Sequence, residues 1–128
     1  MHPVITGVTA ALISLLFLAL AARVAGFRHK AKIGIGDGGN TTLNRAIRAH
    51  GNLAEHAPFV LLMMLCYEMS GGARWLLIAS GAIFLVARIL HALGLLSTAG
   101  TSFGRFWGVV LTWAVLFVLA LANLGQLF

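Results

Sequence analysis

Apolar residues fill four stretches of this chain, and the polar residues collect in the gaps between them. The stretches cover about residues 3–26, 57–69, 73–96 and 103–126. Three of them reach the roughly 20 residues that a helix needs to cross a bilayer core of about 30 Å. The second, 57–69, spans only about 20 Å at 1.5 Å per residue, so a crossing helix there must borrow about seven residues from the polar segment before it. The pattern predicts four transmembrane helices, the second of them polar in its first half. Ala19-Leu20-Ala21 mimics a signal-peptidase site, but the apolar stretch is too long for a signal peptide and no basic segment precedes it, so the first helix is expected to stay uncleaved.

The gaps have their own signals. Residues 34–40 form a glycine-rich polar loop without Gly-Lys-Ser/Thr or a preceding strand pattern, which argues against a P-loop or a Rossmann turn. Thr41 or Thr42 is expected to cap the second helix. Pro58 removes a backbone hydrogen bond to Ala54 and predicts a kink beside Glu55. Gly104 and Gly108 form a small-xxx-small pair that lets two helix backbones approach closely.

The borrowed segment is where chemistry concentrates. At 100° per residue Arg45, Arg48, Asn52, Glu55 and His56 fall within about a quarter of the helix circumference, and Asn52, Glu55 and His56 come to membrane depth. A charged side chain at mid-helix costs about 2.5 to 3.5 kcal/mol on insertion scales, so such a face turns toward a bundle interior or cavity and finds partners. It either serves a function or clamps helices together. On the third helix Arg88 and His91 share a face. Glu55 is expected to form a structural ion pair with Arg88, since Asp37 lies in the loop and Glu68 near the opposite membrane face.

Composition narrows the class. Hydrophobic residues make up 60% of the 128-residue chain and charged ones 9%. The expectation is one domain over residues 1–128, an all-α integral membrane protein built as a four-transmembrane-helix bundle. The net charge of +6 comes from basic residues at helix ends and in the first loop, with few aromatics among them. Membrane topology explains them better than nucleic-acid binding does. Arg23, Arg28, Lys30, Lys32, Arg45 and Arg48 flank the first loop and Arg105 follows the third, whereas the second loop offers Arg74. The positive-inside rule places the first and third loops in the cytoplasm and both termini outside. A single cysteine, Cys66, excludes a disulfide framework and a cysteine metal site, and no metal centre is expected.

The run from Arg48 through Ala-His-Gly-Asn-Leu-Ala-Glu-His-Ala to Pro58 resembles the second-helix signature of the MAPEG proteins, the membrane-associated proteins in eicosanoid and glutathione metabolism. The four-span pattern is similar over nearly the whole chain, and its short length resembles a compact bacterial member. The resemblance implies a homotrimer in the bacterial inner membrane, binding glutathione between protomers and acting on lipophilic small molecules that arrive through the membrane lipids. It implies glutathione contacts from Arg28 (or Arg23), Arg48, Asn52, Glu55, His91 and Arg105, with Arg105 as the catalytic residue that activates the thiol. Gly51 and Leu95 depart from the pattern, standing where eukaryotic members often carry a basic contact and several carry a tyrosine. Two functions fit: a glutathione transferase or peroxidase, or a noncatalytic trimeric membrane protein that binds a lipid or amphipathic ligand, as one family member does. The enzyme alone requires a cation beside the bound sulfur.

Overall fold

The computed structural model describes residues 2–127, so the ends of the expected single domain, residues 1 and 128, lie outside the described residues. Four helices follow in order, α1 (Val4–Ala31), α2 (Thr41–Met69), α3 (Arg74–Ser97) and α4 (Phe103–Leu124), with a closing 3-10 turn at Gly125–Leu127. α2 and α3 form the central pair, and each touches both outer helices, while among the described residues α1 and α4 do not meet. α1, α3 and α4 are long and apolar enough to cross a membrane. α2 carries the polar half, and its buried positions Leu43, Ala46, Ala49, Leu53, Ala57 and Val60 recur every three or four residues along the stripe that faces its neighbours. The protein is an all-α, integral-membrane four-helix bundle.

Several boundaries differ from the pattern reading, each for a local reason. α1 continues past Gly26, because one glycine weakens a helix by only about 1 kcal/mol and Arg28, His29 and Lys30 suit the negative end of the helix dipole. It stops where Lys32 turns left-handed at φ 53° and the Ile33 N–H returns to the Arg28 carbonyl at 3.1 Å. Asn40, rather than either threonine, caps α2, its Oδ1 accepting from the Leu43 N–H at 3.0 Å. Helix α2 runs on through Pro58 to Met69.

Two contacts set the packing. Glycines let α3 and α4 touch backbone to backbone, as the Gly104/Gly108 spacing predicts: a Cβ on Gly104 would stand 2.6 Å from the Leu90 carbonyl oxygen, and one on Gly108 would stand 2.7 Å from that of Ala87. At the opposite end of the bundle from the first loop, Glu68 accepts from the Ile5 N–H at 2.9 Å and the Thr6 N–H at 2.8 Å. Pro3 gives α1 no side-chain cap, so the last turn of α2 supplies one across the bundle.

Candidate ligand-binding site

The polar half of α2 opens onto a cavity of about 550 Å³ at the end of the bundle that carries the first and third loops. Arg45, Arg48 and Asn52 line it from α2, His91 and Leu95 from α3, and Arg105 from the first turn of α4. Each arrives by its helix register. Arg45, Arg48 and Asn52 sit at spacings of three and four, and His91 precedes Leu95 by four, so each set shares a face.

The rim is a fixed piece of loop. Asp37 accepts from the Gly39 N–H at 3.0 Å and from the Asn44 side-chain amide, and these two bonds hold its carboxyl below the usual carboxylate range. The loop order that depends on this carboxylate is therefore present above the ordinary value of 3.8 and is lost as pH falls through the lowered one. Arg105 closes the other side. Its Nη1 donates to the Ala99 carbonyl at 3.1 Å and to the Gly100 carbonyl, clipping the α3–α4 turn, while Ser102 caps α4 by accepting from the Arg105 N–H at 3.3 Å.

The floor corrects one expectation. Arg88, 2% exposed, does not pair with Glu55. Its Nη1 donates to Asn52 Oδ1 and its Nη2 to the Gly108 carbonyl, both at 2.7 Å. Glu55 is exposed on α2. The reason is rotation: Glu55 lies about 60° around the helix from Asn52 at 100° per residue, and α3 packs against the Asn52 side. His56 does not line the cavity either, and its Nδ1 meets the Asn52 backbone carbonyl at 2.9 Å. Because a carbonyl only accepts, that ring nitrogen carries the proton.

Of the residues singled out for a ligand, the fold brings Arg48, Asn52, His91 and Arg105 to one space. It leaves Arg28 and Glu55 outside. Arg28 instead holds the first loop, with Nη1 donating to the Gly34 carbonyl at 3.3 Å and the Gly36 carbonyl at 2.8 Å. Sequence reasoning assigned no ligand role to Arg45 or Asp37, which also line the cavity; Arg45's place on the polar face of α2 was the available signal. Leu95, the position of the missing tyrosine, lines the cavity as well. A side chain at Gly51 would meet nothing within 4 Å, so packing does not require the glycine there.

The chain matches the MAPEG family over residues 6–125. It is 32% identical over 120 residues to the inner membrane protein YecN of Escherichia coli strain K12, covering 94% of this chain and 90% of the relative. The same figures hold for YecN of Escherichia coli O6:H1. Family match, apolar helices and four-helix architecture agree, and the chain belongs to the MAPEG family of membrane proteins.

Proposed function

We propose that this protein binds glutathione in the cavity and presents its thiol to lipophilic electrophiles, as a glutathione transferase or peroxidase. The observation that carries this reading is charge. Arg45, Arg48 and Arg105 line one space, and Asp37 is the carboxylate that faces them. A tripeptide thiol with two carboxylates and one ammonium matches that balance, and the volume falls within the range of about 300 to 1,000 Å³ typical of small-molecule sites.

Glutathione supplies the nucleophilic sulfur, which near an ordinary thiol pKa of about 8.5 is mostly protonated at neutral pH. Arg105 is positioned to favour the anion: its Nη2 and Nε have no partner among the described residues once Nη1 is anchored to the turn. An apolar recess of about 370 Å³ shares His91, Arg105 and Val109 with the polar cavity and runs along Phe106, Val110 and Trp113. It offers a lipophilic molecule a route from the bilayer to the same arginine.

Glu55 and Arg28 reach such a ligand only from a neighbouring protomer. An exposed carboxylate on a membrane helix costs about 2.5 to 3.5 kcal/mol, which supports a homotrimer that covers α2. Native mass measurement from nanodiscs tests that assembly, and a monomer would remove it. The inner-membrane name of YecN supports the same location here. Placing the first and third loops in the cytoplasm follows from the basic residues around them. Cysteine labelling at exposed Lys30, with exposed Cys66 replaced by alanine, tests the orientation, and modification from outside the cell would reverse it.

Glutathione at a hundred times its Kd is expected to stabilise the protein by about 2.7 kcal/mol, read as a rise in Tm. Asn52→Ala is expected to reduce the rise. An unchanged Tm at millimolar glutathione, with no heat of binding, removes the reading. Arg105→Ala is expected to abolish turnover of a generic electrophile and weaken the ultraviolet thiolate signal while leaving glutathione bound. Full turnover in that variant excludes Arg105 from thiol activation. A noncatalytic protein binding a lipid or amphipathic ligand is the second reading, favoured by the engagement of Arg105 Nη1 with the turn; a wild-type protein that binds without turnover would select it.

A further inference from the structure

We infer that Arg88 is a positioning residue that fixes the polarity of Asn52, so that the cavity meets its ligand there with an amide N–H donor and takes a hydrogen-bond acceptor, an anionic oxygen or sulfur, at that point. The identity of the ligand rests on the glutathione reading; the polarity of Asn52 does not.

An asparagine amide free to rotate offers a ligand either its oxygen or its NH2 group. Here it is not free. A guanidinium has donors and no acceptor, so the end of the amide that faces Arg88 must be the carbonyl, as the 2.7 Å contact from Nη1 to Oδ1 shows. Asn52 also lines the cavity, and with its oxygen held by Arg88 the remaining hydrogen-bonding group is the NH2.

Arg88 itself is held from behind. Its Nη2 donates at 2.7 Å to the Gly108 carbonyl, in the stretch where α3 and α4 are in contact and a Cβ would stand 2.6 Å from His91 Cβ. Arg88 is 2% exposed, and swinging its guanidinium away would leave a buried charged donor without its acceptor. Among the described residues both groups that bind Arg88 through hydrogen bonds are neutral, Asn52 and the Gly108 carbonyl. Its charge therefore reinforces the preference for an electron-rich atom on the far side of Asn52.

Asn52→Asp separates this role from a structural one. The substitution keeps size and gives Arg88 a carboxylate, so Tm is expected to stay at or above the wild-type value. It also removes the donor and places a carboxylate oxygen before the ligand. Glutathione affinity by calorimetry is expected to fall at least about tenfold, the loss of a hydrogen bond to a charged group. Arg88→Lys, which can only donate, is expected to keep more affinity than Arg88→Gln, which lets Asn52 take either orientation. Unchanged affinity in Asn52→Asp, or equal affinity in the lysine and glutamine variants, overturns the inference.

An independent arm needs no ligand. In nanodiscs, the Asn52 side-chain amide protons, assigned by their absence in Asn52→Asp, should show magnetisation transfer to water. Protons shielded from water overturn the polarity even if glutathione binds. Absence of glutathione binding to the wild type instead removes the glutathione reading, and the amide signal still decides the orientation of Asn52.

Discussion

Gly108→Val is expected to lower Tm by about 10 °C or more, because it forces α3 and α4 apart where neither can yield. A Cβ at this position would lie 2.6 Å from His91 Cβ, 2.7 Å from the Ala87 carbonyl oxygen and 2.9 Å from His91 Cα. Two of those atoms are backbone, so no rotamer change relieves the contact. Overpacking in a rigid site costs about 1 to 3 kcal/mol and more where the main chain must move, and the higher figure applies here. The damage also reaches the candidate site, since the Gly108 carbonyl holds Arg88 and His91 lines the cavity. Gly7→Ala is the control: a Cβ there meets nothing within 4 Å, and alanine favours a helix by about 1 kcal/mol. Equal melting of Gly108→Val and Gly7→Ala in the same detergent would show that the α3–α4 contact does not limit stability.

Glu68→Ala is expected to destabilise the bundle by about 2 to 4 kcal/mol, from the loss of two charge-assisted hydrogen bonds and of a negative charge at a helix N-terminus. Both carboxylate oxygens are used, one on the Ile5 N–H and one on the Thr6 N–H. With Pro3 as the flanking residue, α1 has no side chain of its own to replace them. Glu68→Gln keeps one acceptor and loses the charge, so its Tm is expected to fall between those of wild type and alanine. Hydrogen exchange at the first turn of α1 should rise in the same order. Unaltered exchange there in Glu68→Ala, with Tm within about 2 °C of wild type, would mean that water caps α1 equally well.

Much of the fold was legible because a bilayer imposes a length and a polarity on every crossing segment. The apolar runs marked three helices directly, and the shortness of the run at 57–69 required α2 to begin in the polar segment, as it does at Thr41. The Gly104/Gly108 spacing marked the close α3–α4 contact. Helix register alone placed Arg48 and Asn52 on one face, and His91 and Leu95 on another. The signature on α2 named the family.

What the chain could not reveal by itself is which of several competent groups meet. Glu55 and Asn52 are both suitable partners for Arg88, and periodicity places them in one polar sector about 60° apart. The choice fell to the rotation of α2 against α3, which brings Asn52 to Arg88 and leaves Glu55 exposed. Arg28 likewise has the charge for a ligand, but the fold of the first loop sets the Gly34 and Gly36 carbonyls within its reach. The Glu68 cap joins groups more than 60 residues apart, so no local spacing announces it. Sequence periodicity specifies the direction in which each side chain leaves its own helix; hydrogen bonding over about 3 Å depends on the rotation and offset of a second element, and those are set only when the helices pack.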